Sequence, residues 1–93
     1  MKCLEIIELR TAESNKKLWK SQMQKLIDDM VRETSRESIK AYCRVMIDTD
    51  FSIHLFHDSL DGDNTGSKLG LHLASTLKEF GLVNHSVWVE MNR

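Results

Sequence analysis

The segment Phe51–Asp58, with the sequence FSIHLFHD, constrains the fold of this 93-residue chain more than any other stretch. Its residues alternate between an apolar face and a mixed face, which is the period of a β-strand. The apolar face consists of Phe51, Ile53, Leu55 and His57. The mixed face consists of Ser52, His54, Phe56 and Asp58. The first face predicts contact with the core. The second face combines an aromatic side chain with three polar ones, which a solvent-facing surface does not require.

Three further segments predict strands, and two predict helices. Strands are predicted at residues 3–9, 39–47, 51–58 and 83–91. A helix is predicted at 15–32, where an apolar stripe follows the 3.6-residue period; it consists of Trp19, Met23, Leu26, Ile27 and Met30. A second helix is predicted at 68–80, with the stripe Leu69, Leu73, Leu77 and Phe80. Ser67 is the expected N-cap of this helix and Gly81 its expected C′ residue.

The second and third strands are predicted to form a hairpin. With a three-residue loop at 48–50, the apolar pairs would be Ile47–Phe51, Val45–Ile53 and Cys43–Leu55. The other face would pair Met46–Ser52, Arg44–His54, Tyr42–Phe56 and Lys40–Asp58. A slip of one residue would mix the two faces, so the buried pattern favours this register.

The predicted order β-α-β-β-α-β is that of a ferredoxin-like α+β domain spanning residues 1–93. In this fold one antiparallel four-stranded sheet carries two helices on one face. The opposite sheet face would hold Tyr42, Arg44, Met46, His54, Phe56, Ser86 and Trp88. An exposed face so rich in aromatic residues is unsuited to a monomer. We therefore expect a homodimer in which two sheets pack against each other.

Composition excludes several classes of partner. The chain has 13 basic and 14 acidic residues, so nothing in its charge attracts it to nucleic acid or to an anionic membrane. No apolar run has the length of a membrane span, and the first residues do not resemble a signal peptide. Cys3 and Cys43 lie in apolar strand-like segments, where buried thiols are common. The expected location is the reducing cytoplasm.

The element order and the strand-face pattern resemble those of the dimeric α/β-barrel superfamily, in particular its small antibiotic-biosynthesis-monooxygenase-like proteins. The resemblance covers essentially the whole chain. It implies a homodimer and an activity drawn from a group that includes cofactor-independent oxygenases and haem-degrading enzymes. Haem-degrading members have an Asn on the first strand, a Trp on the third and a His on the second helix. Here the first strand has no Asn, the third-strand aromatic is Phe56, and only His72 matches, so no cofactor is expected.

The candidate site on the exposed sheet face is centred on His54, which we predict to be the catalytic proton acceptor. A histidine in an enclosed site can accept a proton near neutral pH, as oxidation of an acidic phenol or enol requires. The predicted ligand-binding residues on this face are Tyr42, Arg44, Phe56, Ser86 and Trp88. They would hold a flat, partly polar ligand of aromatic or polyketide-like type. The alternative is that this face is only a dimer interface, because the same residue types are enriched there.

A second candidate cavity lies on the helix side, where His57, His72 and His85 are predicted near the core boundary, with His57 and His85 toward its opposite ends. We include His72 and His85 among the predicted ligand-binding residues. The alternative is that all three histidines have structural hydrogen-bond partners. No metal site is predicted, because no histidine pair has the spacing of a helical metal motif and His54 and His57 point to opposite faces.

The segment Asp61–Gly66 resembles the first half of a calcium-binding EF-hand loop. Its twelfth position is His72 rather than Glu, and a strand precedes it, so an ordinary turn with a helix cap is the favoured interpretation. The leading functional hypothesis is a monooxygenase-like small-molecule site at His54. The second is a non-catalytic dimerisation or ligand-sensing module.

Overall fold

The computed structural model describes residues 2–11, 16–31, 39–47, 49–58 and 66–91. Its elements are β1 (Cys3–Thr11), α1 (Lys16–Val31), β2 (Ile39–Cys43), β3 (Asp50–His57), α2 (Lys68–Leu77) and β4 (Gly81–Val89). All strand pairs are antiparallel, and the sheet order is β2-β3-β1-β4. The predicted ferredoxin-like α+β fold is confirmed.

The core lies on one face of the sheet, which we call the helix side. Odd-numbered strand residues point to this face, and the largest buried ones include Ile7, Ile53 and Leu55, at 0%, 0% and 1% exposure. They pack with Leu73 and Leu77 of α2. Because β1 and β3 are the two inner strands, the segment FSIHLFH of β3 lies in the interior of the sheet.

The predicted helix stripes are largely confirmed where side chains are described. Met23 is buried in the core, and Leu26 and Leu69 pack against it. Phe80 is an exception: it follows α2 in a turn and is 39% exposed. The side chains of Trp19, Ile27 and Met30 lie outside the described part of the chain.

The predicted hairpin register is wrong, and the predicted faces are kept only within residues 39–43. Strand β2 ends at Cys43, and its helix-side pairs with β3 are Ile39–Leu55, Ala41–Ile53 and Cys43–Phe51. Arg44 and Met46 therefore leave the sheet: Ile47 N donates to Arg44 O at 3.3 Å in a turn, and Met46 has φ 63°. An even shift keeps every side chain on its face, so the buried pattern fixed only the parity of the register.

The two ends of α2 differ in how well they were predicted. Ser67 is the N-cap, as expected, and its Oγ accepts a hydrogen bond from Gly70 N at 3.0 Å. Gly81 is not a C′ residue. It begins β4 opposite Thr11, and a Cβ at this position would collide with the backbone carbonyl of Arg10. Strands β1 and β4 therefore remain paired as far as Thr11 and Gly81. As a result β1 extends past residue 9, and β4 begins two residues before its predicted start.

No helix in the described residues is long and apolar enough to cross a membrane. The calcium-binding hypothesis concerns Asp61–Gly66, of which residues 61–65 lie outside the described residues.

Candidate functional site

The sheet face turned away from the helices, here called the outer face, consists of the even-numbered strand residues. Strand pairing places Phe56, Leu4 and Trp88 in one row across three strands. The next row contains His54, Ile6 and Ser86. Two adjacent rows thus contain four of the predicted outer-face residues, namely His54, Phe56, Ser86 and Trp88.

His54 is half-buried between aromatic neighbours. Its ring centroid lies 4.6 Å from that of Tyr42 and 6.4 Å from that of Phe56, both in tilted arrangements. Its Nε2 lies 3.4 Å from Ser52 Oγ, which makes a long hydrogen bond. The imidazole is therefore held by side-chain contacts on a face that remains open in the single chain.

Large apolar side chains share the outer face with His54: Tyr42 and Phe56 lie beside it on β2 and β3, and Trp88 lies two strands away on β4. Tyr42, Phe56 and Trp88 are 47%, 42% and 58% exposed. The indole Nε1 of Trp88 donates to Ser86 Oγ at 2.9 Å, which satisfies its polar atom and leaves the ring face accessible. Leu4 and Ile6 lie half-buried between these residues. This end of the outer face is rich in apolar surface, and Lys40 lies at its margin, opposite His54 and with its Nζ 6.0 Å from the centre of the Phe56 ring.

The other end of the outer face is charged. Asp50 pairs with two guanidinium groups: Arg10 Nε at 3.2 Å and Arg44 Nη1 at 3.0 Å. Hydrogen bonds from Arg10 above all, and then from Arg44 and Thr49, outweigh desolvation and hold the pKa of Asp50 below its ordinary value. Predicted residues Arg44 and Tyr42 line an open groove of about 400 Å³ beside this ion-pair group, on the far side of Tyr42 from Trp88.

The helix side contains a polar group that the sequence interpretation missed. Glu5 has a fully buried side chain, and both of its carboxylate oxygens accept hydrogen bonds. Oε1 lies 2.7 Å from His57 Nε2 and accepts from Ser67 Oγ at 2.6 Å. Oε2 lies 2.7 Å from His85 Nε2 and accepts from Ser67 N at 3.1 Å. We call these four residues the Glu5 cluster.

Each residue of the Glu5 cluster is positioned by a different element. Glu5 comes from β1, His57 from the end of β3, His85 from β4 and Ser67 from the N-cap of α2. The carboxylate thus lies at the N-terminal end of a helix, where a negative charge is favoured. Gly66 and Gly70 leave the necessary space, because a Cβ at either position would collide with the Glu5 carboxylate.

The Glu5 cluster holds an ionised carboxylate. Burial raises the pKa of Glu5, but hydrogen bonds from Ser67, His57 and His85 together outweigh burial and hold this pKa below its ordinary value. An ionised carboxylate can only accept hydrogen bonds, so each imidazole must donate from Nε2. This arrangement fixes the orientation of both rings.

The helix-side histidines thus differ from expectation. The sequence predicts His57 and His85 toward opposite ends of the core, but in the structure they share one carboxylate. The structure leaves His72 with an exposed side chain; its backbone carbonyl accepts a hydrogen bond from Thr76 Oγ1 at 2.9 Å. Glu5 itself had one signal in the sequence: it shares strand parity with Ile7 and Leu9, which both point into the core.

Within the residues that the structure describes, no three His, Cys, Asp or Glu side chains are arranged to hold a metal ion. Comparisons of the chain with protein-family models, with curated proteins and with solved structures find no match. The functional argument therefore depends on the side-chain geometry of the two faces of the sheet.

Proposed function

We propose that the chain forms a homodimer through the apolar end of its outer face and that the paired sheets enclose a site for a small aromatic or polyketide-like molecule at His54. One observation carries this proposal: Tyr42, Phe56 and Trp88 are large exposed side chains on the same sheet face as the half-buried His54, and the first two have ring contacts with it. Aromatic residues that a single chain leaves in water are the usual core of an interface.

A second copy is the occupant that the outer face favours. An aromatic side chain buries about 150–250 Å² when it is fully covered, so a few such residues on each copy supply much of a small interface. A two-fold interface brings the same patch of both subunits together. The charged end around Asp50 would then form a polar rim, which is the arrangement found around apolar interface cores.

The proposed chemistry assigns different tasks to neighbouring side chains. Phe56 and Trp88 would contact the flat faces of the ligand, and Tyr42 would hold the imidazole of His54 in place. In a monooxygenase-like reaction, His54 would accept the proton of an acidic phenol or enol as the first step of its oxidation by dioxygen. The proposal includes no cofactor. It includes the reducing cytoplasm as the location.

The experiment that tests this proposal uses 2-naphthol as a probe. Histidine ring signals are followed by NMR while the probe is added to the parent protein and to Trp88→Ser. We expect saturable shifts of the His54 signals in the parent and weaker binding to Trp88→Ser. His85, on the opposite face of the sheet, is the internal control, and its signals should stay unchanged. Equal shifts at His54 and His85, or no shifts at all, would contradict an outer-face ligand site.

The second candidate function is a non-catalytic dimerisation module. It is favoured by the positions of the described grooves, which lie near Asp50 and between the helices rather than at His54. In this case side chains of the partner copy would fill the space around His54. A dimer that fails to bind 2-naphthol, and whose His54→Phe variant is at least as stable as the parent, would support this second function.

A further inference from the structure

Cys3 and His57 are direct cross-strand partners on the helix side of the sheet. The β1–β3 register pairs their Cα atoms, and both positions are odd-numbered, so both side chains point to the same face. Side chains in such a pair have Cβ atoms about 4.5–5.5 Å apart. The thiol of Cys3 therefore lies beside an imidazole that is already bound to the Glu5 carboxylate.

The hydrogen bond to Glu5 determines which nitrogen of His57 can meet the thiol. Nε2 of His57 lies 2.7 Å from Glu5 Oε1, so Nδ1 is the ring nitrogen left for a second partner. This is the order of a nucleophile, a base and an orienting acid, in which the carboxylate fixes the ring and stabilises its protonated form.

Burial follows the same order. The Glu5 side chain is 0% exposed, that of His57 is 22% exposed, and Cys3 is partly exposed. A thiol that solvent can reach, beside a base that a buried acid orients, is consistent with the arrangement of an activated nucleophile. The start of β1 is also well fixed, because Glu90 N donates to Lys2 O at 2.9 Å.

We propose that Cys3, His57 and Glu5 form a nucleophilic site that reacts with small electrophiles. Cys3 Sγ forms a bond to the electrophilic carbon, and the leaving group departs with its electron pair. The thiol proton passes to His57 Nδ1, and Glu5 stabilises the resulting imidazolium through Nε2–H. This site lies on the opposite face of the sheet from His54, so it goes beyond the proposed function and does not depend on it.

The experiment measures alkylation by iodoacetamide, in which a carbon–sulfur bond forms and iodide leaves. The chain contains its own control in Cys43, which is exposed on β2. Mass spectrometry of the parent protein follows both cysteines in the same sample at neutral pH. We expect Cys3 to react about tenfold faster than Cys43, although Cys3 is the less exposed of the two. Slower alkylation of Cys3, as its burial alone would cause, would overturn the proposal.

Two variants separate the activating role of His57 from its structural role. Both His57→Gln and His85→Gln remove one imidazole from Glu5, but His85 pairs with Ile7, four residues along β1 from Cys3. We expect His57→Gln to reduce Cys3 alkylation to the rate of Cys43 or below, and His85→Gln to preserve the difference. Urea unfolding of both variants checks that they are folded. Equal effects of the two substitutions would mean that the cluster is only structural.

Discussion

The carboxylate of Glu5 occupies the space that a side chain at Gly70 would need. A Cβ added to Gly70 would collide with Oε1, Oε2 and Cδ of Glu5. The first turn of α2 can therefore lie directly against β1 only because position 70 is a glycine. Glycine in a helix interior destabilises the helix by about 0.5–1 kcal/mol relative to alanine. Here the absence of a side chain leaves room for a buried, fully hydrogen-bonded carboxylate.

Replacing Gly70 by alanine should destabilise the protein despite the better helix propensity of alanine. The added methyl must displace either α2 or the Glu5 carboxylate from its hydrogen-bond partners. We expect the free energy of unfolding to fall by about 3 kcal/mol, as when a buried ion pair is broken. Urea unfolding measures the change. Ser75→Ala, at an exposed position of the same helix, is the control and should change stability by less than about 0.5 kcal/mol. An unchanged or raised stability in Gly70→Ala would be inconsistent with the observed packing.

Replacing Glu5 by glutamine tests whether the carboxylate itself is needed. Glutamine has nearly the same shape, but its amide NH₂ would face a donor from Ser67, His57 or His85. We expect a loss of about 3 kcal/mol in the free energy of unfolding, measured with urea. Glu8→Gln is the matched control, because Glu8 lies on the same strand, is exposed and accepts a bond from Asn84. Similar losses in the free energy of unfolding in the two variants would mean that the buried carboxylate of Glu5 contributes no more to stability than the exposed carboxylate of Glu8.

The Glu5 cluster should also make stability depend on acid pH. The pKa of Glu5 in the folded protein lies below its ordinary value of 4.5, so the unfolded chain binds the proton more tightly. The stabilisation is therefore fully present above about pH 5 and is lost as the pH falls through the folded-state pKa. Urea unfolding from about pH 6 to about pH 3 should show a smaller decline in Glu5→Gln than in the parent. Asp50→Asn is the comparison, because the pKa of Asp50 is also lowered. If the free energy of unfolding falls with pH at the same slope in the parent and in Glu5→Gln, the assignment of this pH dependence to Glu5 is refuted.

The fold could be predicted because it depends on patterns that extend over whole elements. The alternation in Phe51–His57 and the spacing of Leu69, Leu73 and Leu77 each identify a buried face without knowledge of the partner element. The hairpin register could not be predicted in the same way. Val45 and Met46 look like strand residues, but they are 84% and 96% exposed in a turn, and any even shift preserves the buried face.

The candidate sites were predictable to different degrees. Strand parity places His54, Ile6 and Ser86 on one sheet face, but their alignment in one row requires the strand register. The Glu5 cluster needs the register of three strands together with the approach of Ser67, none of which a local pattern contains. A buried Glu also contradicts the general preference of charged residues for the surface, so its position could not be inferred from residue type.

The oligomeric state in solution tests the central claim most directly. Light scattering after gel filtration should give the parent a mass of twice the 10.8 kDa of one chain. Trp88→Lys places a charge within the proposed interface and should give a folded monomer, whereas Leu71→Lys, at an exposed site on α2, should remain a dimer. A parent protein that is monomeric across the measured concentrations, or a Trp88→Lys dimer as stable as that of the parent, would contradict association through the outer face.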